Sequence, residues 1–332
     1  MARKVSINDI ARELKVSKTT VSFVLNGKGD ENKISKITQQ RILALIKAWN
    51  YQPNKLAQAL KRGESKTIGY LVPDIGDPFY ARIARLIEGL CSGEGYQLIM
   101  GSTGEDKEKE EKLLGSILNQ QVDALITAPT QLLNPIYLSR LESGFPMVVF
   151  DRFTTGIDSN NVGVENIKSM QKVVQMLIDE GFNRIGLVSL EPIISTLSER
   201  LESYRHTLQL NGMPVDEDLI HVVSKHGLGE DISEVLKSLF KNGCNGIVAT
   251  NNLVATELIK QLNTDYPEKL DTLRLGVFDN LDLFDFVRPR IISVAQPVDQ
   301  IATKIVELLH ESMKNSNIEK SQYILTPEII RR

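Results

Sequence analysis

Residues 5–28 read VSINDIARELKVSKTTVSFVLNGK, and this stretch contains two short amphipathic segments. In the first segment, apolar residues recur at helical spacing: Ile7, Ile10, Ala11 and Leu14. Ser6 precedes it as a candidate N-cap, and Ser17 precedes the second segment in the same way. The second segment places Val21, Val24 and Leu25 on one side and leaves Lys18, Thr19, Ser22 and Phe23 on the other. Two helices joined by only about three residues predict a helix-turn-helix, which inserts its second helix into the major groove of DNA.

A third helix is predicted from Ser35 to Asn50, with an inward stripe of Ile42, Leu45, Ile46 and Trp49. It is followed by the segment YQPNKLAQALKRG at 51–63. Pro53 suits the first position of a short helix, and Gly63 suits its end. The start of the chain therefore predicts a small all-helical domain followed by a hinge.

Charge is divided unevenly along the chain. Residues 1–66 contain 14 Lys and Arg against 5 Asp and Glu, a net charge of +9. The remainder holds the other 25 of the 39 basic residues and the other 37 of the 42 acidic ones, a net charge of −12. A basic head on an acidic body predicts that the head meets a polyanion and that the body does not.

Composition excludes several classes of protein. A chain of 332 residues predicts two or three domains. No apolar run approaches the roughly 20 residues that span a bilayer, and the first residues do not resemble a signal peptide, so we expect a cytoplasmic protein with no membrane partner. Cys91 and Cys244 are far apart, and the four histidines lack metal-ligand spacing. We therefore expect no catalytic residues, no metal and no cofactor.

From Thr67 onward, short apolar strands alternate with amphipathic helices, beginning with the strand IGYLVP at 68–73. Repeated alternation predicts parallel sheets covered by helices. The strands form two successive series, which predicts two lobes with a ligand between them at the carboxyl ends of the strands. Polar or aromatic groups follow the predicted strands or open the next helix at Asp77-Pro78-Phe79, Asp151-Arg152, Ser198-Glu199-Arg200, Asn251-Asn252, Asp279-Asn280 and Gln296-Pro297.

The segments at 5–28 and 51–60 together resemble the lactose-repressor family of bacterial regulators, and the strand-end landmarks extend the resemblance over essentially the whole chain. The fold class implied is α/β, with an all-α helix-turn-helix headpiece and a two-lobed, parallel-sheet effector domain like a periplasmic binding protein. The implied domains are a headpiece at 1–52, a hinge at 53–66 and an effector and dimerisation domain at 67–332. Its N-lobe is expected at about 67–162 and 293–322, and its C-lobe at about 163–292 and 323–332.

The resemblance implies that a homodimer binds double-stranded, near-palindromic operator DNA. The DNA-binding residues it implies are Ser17, Lys18, Thr19, Thr20, Ser22, Phe23, Asn26, Tyr51, Asn54, Ala57 and Leu60. Leu60 would insert between base steps in the minor groove. Phe23 stands where many members carry Arg, which favours an apolar contact over a bidentate contact to guanine. The last residues, 327–332, are not followed by a heptad tail, which favours a dimer over a tetramer.

For the body, the resemblance assigns effector binding to Asp77, Phe79, Asp151, Arg200, Asn251, Asp279 and Gln296. Carboxylate, amide and guanidinium groups suit the vicinal hydroxyls of a sugar, and Phe79 suits an apolar sugar face. Segments such as LSERLESYR at 197–205 are similar to the fructose-responsive subgroup, so a sugar phosphate is a second candidate effector. Three further alternatives stay open: a nucleobase-sensing regulator, a two-lobed sugar-binding protein without a DNA role, and an enzyme.

Overall fold

The computed structural model describes residues 5–51, 63–130, 133–152, 158–191, 194–315 and 319–332. The chain separates into two compact units, Met1–Ser65 and Lys66–Arg332, which we call the headpiece and the body. Of the predicted DNA contacts, Asn54, Ala57 and Leu60 lie outside the described residues.

Within residues 5–51 the headpiece has helices α1 (Ile7–Leu14), α2 (Lys18–Leu25) and α3 (Lys36–Ala48). Helix α1 begins in a capping box, in which the Ser6 N–H donates to the Asp9 carboxylate at 2.9 Å and the Asp9 N–H donates back to Ser6 Oγ. Helix α2 begins at Ser17, whose Oγ accepts a hydrogen bond from the Thr20 N–H at 3.0 Å. Both predicted N-caps are confirmed.

The three helices enclose a small core of Ile10, Ala11, Val21, Val24 and Ile42. The prediction that Trp49 faces inward is wrong, because 36% of Trp49 is exposed. Helix α3 ends at Ala48, and Trp49 is the C-cap, so the Trp49 side chain does not continue the apolar stripe of the helix. Tyr51 packs against the core instead.

The body begins with an alternation of strands and helices: β1 (Thr67–Val72), α4 (Pro78–Ser92), β2 (Gln97–Ser102), α5 (Lys107–Asn119), β3 (Ala124–Thr127), α6 (Pro135–Glu142), β4 (Met147–Phe150) and β5 (Asn160–Val164). The second series is α7 (Asn166–Asp179), β6 (Ile185–Leu190), α8 (Ser195–Leu210), β7 (Ile220–Val223), α9 (Leu228–Lys241), β8 (Gly246–Ala249), α10 (Asn252–Asp265), β9 (Arg274–Phe278) and β10 (Arg290–Ala295). The chain closes with α11 (Val298–Lys314), β11 (Gln322–Leu325) and β12 (Glu328–Arg331). Short 3-10 helices lie at Glu217–Leu219, Pro267–Lys269 and Asp282–Asp285.

Two six-stranded sheets define the N-lobe and the C-lobe of the body. Their strand orders correspond, β11-β5-β4-β3-β1-β2 in the N-lobe and β12-β10-β9-β8-β6-β7 in the C-lobe. The N-lobe sheet is parallel throughout, whereas β12 runs antiparallel to β10 at one edge of the C-lobe sheet. The predicted pair of helix-covered parallel sheets is thus confirmed, apart from this edge strand.

The chain passes between the lobes after β5, after β10 and after β11. The lobe boundary expected at residue 293 must be corrected, because all of β10 pairs with β9 in the C-lobe sheet and the chain returns to the N-lobe at α11. Similarly, β11 lies wholly in the N-lobe sheet beside β5. Strand pairing decides these boundaries, and residues 296–297 form the connection itself.

Each sheet is covered by helices on both faces, which explains why the strands are apolar along their length rather than alternating. One large cluster of buried side chains includes residues from both lobes, among them Tyr70, Phe150, Tyr204 and Phe278. Separate clusters fill the other face of each sheet. Within the part of the chain that the structure describes, no helix has both the length and the apolar character needed to cross a membrane.

Candidate functional site

A cavity of about 410 Å³ lies between the lobes, at the carboxyl ends of the strands. The seven residues that the sequence assigned to effector binding all line it: Asp77, Phe79, Asp151, Arg200, Asn251, Asp279 and Gln296. Five of them follow strands, whereas Phe79 lies in the first turn of α4 and Arg200 in the second turn of α8. The parallel topology therefore gathers side chains that are up to 219 residues apart between Asp77 and Gln296.

Asp279 is held rigidly at the C-lobe wall. Its carboxylate accepts a hydrogen bond from Gln296 Nε2 at 2.6 Å and another from the Asn252 N–H at 3.1 Å. Gln296 belongs to the segment that connects the C-lobe to the N-lobe. The carboxylate of Asp279, on the C-lobe, is therefore hydrogen-bonded to the interlobe connection.

Asp77 forms a direct contact across the cleft. Its Oδ1 caps helix α4 through the Phe79 N–H at 2.8 Å and also accepts from Asn252 Nδ2, on the C-lobe, at 3.0 Å. Burial, together with the nearby negative charge of Asp279, raises the pKa of Asp77 to about 6. The cost of ionising this carboxyl is therefore high in the conformation described here.

Asp151 faces the cavity from the N-lobe, where Tyr80 Oη donates to its carboxylate at 2.7 Å. Burial raises the pKa of Asp151, although the positive charge of Arg152 opposes the shift. Phe79 stands beside Tyr80 in an edge-to-face arrangement with 5.1 Å between ring centroids. This wall of the cleft thus combines hydrogen-bonding oxygens with an apolar surface.

Arg200 is 4% exposed and lies with its guanidinium 3.5 Å from the centre of the Phe278 ring. It donates to Asn166 Oδ1 from Nε and Nη2, at 3.1 and 2.9 Å, and to the Thr250 carbonyl from Nη1 at 2.8 Å. Burial lowers the pKa of Arg200. Three bonds from a five-donor group leave two N–H groups with no partner among the described residues, and these can serve a ligand.

Asn251 has a structural role as well as a place in the lining. Its Oδ1 accepts from the Val254 N–H at 3.0 Å and caps helix α10. The side chain therefore fixes the start of the helix whose next residue, Asn252, reaches both Asp77 and Asp279.

Several lining residues were not assigned to the site from the sequence, among them Asp74, Glu105, Asp106, Arg152, Glu191 and Lys225. Glu105 and Asp106 follow β2, and Lys225 follows β7. The rule that strand ends converge would have found these residues if applied to every strand. Lys225 Nζ lies 3.1 Å from Asp74 Oδ2 and forms a second contact between the lobes.

On the headpiece, Ser17, Lys18 and Thr19 are exposed at the start of α2, as a helix that presents its first turn to bases requires. Thr20, Ser22 and Phe23 are partly buried, and Asn26 is exposed at the C-terminal end of the helix. The side-chain amide of Asn26 donates to the Ser22 carbonyl at 2.7 Å. Tyr51 is partly buried against the headpiece core.

A helix-turn-helix headpiece and a two-lobed body with a polar interlobe cavity define a ligand-responsive DNA-binding protein. Comparison with known families agrees: the model for bacterial regulatory proteins of the lacI family matches residues 6–54, and that for the periplasmic binding protein-like domain matches residues 174–332. The chain belongs to the lacI family of bacterial regulatory proteins and is a DNA-binding transcriptional regulator.

Individual relatives extend the match over nearly the whole chain. The transcriptional regulator PtxS of Pseudomonas aeruginosa is 31% identical over 318 residues, which cover 92% of this chain and 88% of the relative. Among solved structures, a lacI-family regulator from Silicibacter pomeroyi has a TM-score of 0.81 at 22% identity, with 98% of each chain covered. The regulator Cra from Pseudomonas putida, solved with fructose 1-phosphate, has a TM-score of 0.72 at 21% identity and covers 80% of this chain and 98% of its own.

Proposed function

We propose that this regulator binds a small carbohydrate between its two lobes and that binding changes its affinity for a near-palindromic operator, most simply as a repressor. The observation that carries the proposal is the convergence of seven polar or aromatic strand-end and helix-start side chains on one cavity of about 410 Å³. A volume of this size suits a small ligand. Cra, a structural neighbour, was solved with a sugar phosphate, which supports a carbohydrate as the class of effector.

Carbohydrate recognition agrees with the chemistry of the lining. Carboxylate oxygens on Asp151 and Asp279 accept hydrogen bonds from hydroxyl groups, and the two remaining N–H groups of Arg200 donate to hydroxyl oxygens. Phe79 offers an apolar surface against which a sugar ring can pack. The proposal includes no catalytic step and no cofactor, because a sensor needs only differential binding.

On the DNA side, we propose that Lys18, Thr19 and Phe23 read base edges and that Ser17, Thr20, Ser22, Asn26 and Tyr51 contact the backbone or position the helix. The exposed first turn of α2 and the net charge of +9 over residues 1–66 support this assignment. Asn54, Ala57 and Leu60 are proposed to act in the minor groove and lie outside the described residues. Since its target is operator DNA, the regulator acts in the cytoplasm.

Coupling between ligand and DNA requires two states that the ligand distinguishes. The contacts Asp77–Asn252 and Asp74–Lys225 join the lobes, so a ligand between them stabilises the closed cleft relative to an open one. We propose that the change in lobe geometry is passed to the hinge. Coupling free energies of about 1–3 kcal/mol are typical for such regulators and correspond to changes in DNA affinity of roughly 5- to 150-fold.

We further propose that the regulator is a homodimer, because a near-palindromic site needs two headpieces. An apolar patch formed by Leu283 and Phe286 supports a protein contact on the C-lobe. Phe286 is 86% exposed and Leu283 is 49% exposed. A contiguous patch of exposed apolar side chains indicates an interaction surface, whereas single exposed apolar side chains are common on any protein.

The test first uses the full-length protein to select the duplex DNA that it binds from a pool of random sequences. Its affinity for the selected DNA is then measured by fluorescence anisotropy in the presence of single sugars, sugar phosphates and nucleobases. At least one carbohydrate should shift the affinity by fivefold or more, within the range that coupling of about 1–3 kcal/mol allows. Asp279→Asn should abolish that response while DNA affinity without ligand stays within about threefold, because the headpiece is untouched. Asn is the appropriate replacement, since it tolerates the left-handed backbone of residue 279.

The proposal fails if no carbohydrate changes DNA affinity, or if the Asp279→Asn variant responds as the unaltered protein does. A response to nucleobases alone would replace carbohydrate by nucleobase as the effector class.

A further inference from the structure

We infer that the cleft selects an uncharged polyol over a phosphorylated or carboxylated sugar, and that Glu105 determines this selectivity by engaging the guanidinium of Arg152. This inference rests on the proposed function only in taking the interlobe cavity as the effector site. It goes further by assigning the charge class of the ligand and a specificity-determining residue.

The charges that line the cavity are predominantly negative. Seven carboxyl groups stand against three cations, Arg152, Arg200 and Lys225, which gives a formal net charge of −4 when every carboxyl group is ionised and His226 is neutral. A phosphate group carries about −1.5 to −2 charges near neutral pH, so it would enter a field of its own sign. In a partly dehydrated cleft such repulsion is screened far less than in bulk water.

Arg152 is the cation best suited to hold an anion, and it is already engaged. Its Nη1 and Nη2 donate to the two carboxylate oxygens of Glu105 at 2.9 and 2.5 Å, and Nη1 also donates to the Pro129 carbonyl at 3.0 Å. This forked arrangement is the one that a guanidinium offers to a phosphate. Arg152 itself is 5% exposed, so its guanidinium is almost completely covered by the surrounding protein.

Glu105 is placed for this contact by the backbone. It follows β2 in a left-handed conformation with φ of 64°, which a glutamate adopts only when its surroundings compensate the strain. Its side chain is about one-third exposed, so the carboxylate closes over Arg152 from the rim of the cleft.

The other two cations also have hydrogen-bond or ionic partners within the protein. Arg200 donates hydrogen bonds to Asn166 and to the Thr250 carbonyl, and the negative charges of Asp279 and Asp151 favour its protonated form. Lys225 lies at the mouth of the cleft against Asp74. An incoming anion would therefore have to displace Glu105 to engage Arg152 in fork geometry, would compete with Asp74 at Lys225, and would find only the two remaining N–H groups at Arg200.

The cleft also contains an unsatisfied acceptor, which supports a hydroxyl-bearing ligand. Gln296 Oε1 is buried and has no hydrogen-bond partner among the described residues. Its orientation is fixed because Gln296 Nε2 donates to Asp279 Oδ1. A hydroxyl group of a free sugar or of its phosphate ester can donate to this oxygen. The site thus lacks a donor that any polyol supplies, and the selection against phosphate depends on the charge of the lining and on the Glu105–Arg152 contact.

The experiment uses the full-length protein, Glu105→Gln, and Asp106→Asn as a matched control, with binding measured by isothermal titration calorimetry. Asp106 is the carboxylate next to Glu105 and the N-cap of α5, and Asn also caps helices well. Asp106→Asn therefore removes one negative charge, as Glu105→Gln does, but leaves the contact between Glu105 and Arg152 intact. The probes are inorganic phosphate, and fructose, glucose and ribose each paired with its phosphate ester.

We expect the unaltered protein to bind phosphate and each ester at least tenfold more weakly than the tightest-binding free sugar. Glu105→Gln should bind inorganic phosphate and the esters at least tenfold more tightly than the unaltered protein does, while Asp106→Asn changes by less than threefold. The inference is overturned if an ester outcompetes its free sugar in the unaltered protein. It is also overturned if Glu105→Gln gains no more phosphate affinity than Asp106→Asn. If no free sugar binds, the proposed function fails, but the phosphate titrations still decide the role of Glu105.

Discussion

At the scale of single residues, Asp151 and Asp279 each combine a left-handed backbone turn at a strand end with an acidic group in the cavity. They follow β4 and β9, which hold the same position in the strand orders of the two lobes. Both have left-handed backbones, with φ of 66° and 81°. Aspartate adopts this conformation more readily than most residues, and its short carboxylate still reaches the cleft. The sharp turn at each strand end and the acidic group in the cavity are therefore supplied by one residue type.

Asp77 gives a prediction about pH. Burial raises its folded-state pKa to about 6 from an ordinary value of 3.8, so the folded protein holds this proton more tightly than the unfolded chain does. Stability contributed by Asp77 is present below about pH 4 and is lost as the pH rises through 6. Asp77→Asn should therefore raise the Tm relative to the unaltered protein at pH 7.5 and leave it unchanged at pH 4.

The substitution keeps the Oδ1 acceptor for Phe79 and Asn252, so the comparison isolates the charge. Differential scanning calorimetry across this pH range measures the effect, with Glu88→Gln on the exposed surface of α4 as control. Curves of Tm against pH that run parallel for Asp77→Asn and the unaltered protein would contradict the prediction.

At the scale of elements, close helix–sheet packing depends on glycines in the strands. Gly69 in β1, Gly186 in β6 and Gly276 in β9 each face a helix side chain that an added Cβ would meet at 2.6 Å: Ile117, Leu239 and Val173, respectively. Real Cβ atoms do not approach neighbours so closely, so any larger residue must displace the helix or the strand. These glycines allow the helices to pack closely on the sheets, and this spacing between helix and sheet helps to position the strand ends.

Gly276→Ala is accordingly expected to lower the free energy of unfolding of the body by about 1–3 kcal/mol, because Val173 is β-branched and cannot rotate away easily. Gly115→Ala in α5 is the matched substitution, since nothing lies within 4 Å of its added Cβ. It should stabilise the protein by about 0.5–1 kcal/mol through helix propensity. Urea unfolding followed by circular dichroism measures both, and an equal effect of the two changes would refute the packing argument.

At the scale of the whole molecule, operator binding depends on bringing two headpieces to one site. Phe286→Asp places a charge in the proposed contact between C-lobes, where desolvation penalises it. We expect the variant to become monomeric at micromolar concentration and to lose at least tenfold in affinity for the selected DNA. Size-exclusion chromatography with light scattering gives the mass. Ile167→Asp, at another exposed apolar position of the C-lobe, is the control.

A Phe286→Asp protein that stays dimeric would exclude this patch as the contact. If the unaltered protein is itself a monomer, the homodimer proposal fails.

The sequence by itself determined the local features. Residues 5–28 carried the two N-caps and the apolar spacing of a helix-turn-helix, because caps and helical periodicity depend only on nearby residues. The charge division and the strand–helix alternation likewise indicated a DNA-binding head and a two-lobed body, and the family comparison confirms that class. The seven lining residues were assigned through the family resemblance, and the pattern of polar residues after apolar strands agreed with most of them.

Only the tertiary structure decided what depends on pairing over long distances. Strand register assigned β10 and β11 to their sheets and moved the lobe boundaries. The forked contact between Glu105 and Arg152 joins residues 47 positions apart, and no local pattern signals it. The link from Asp77 to Asn252 crosses the cleft over 175 positions. Such contacts arise because folding brings strand ends together from both lobes, and they decide which cations in the cleft remain available to a ligand.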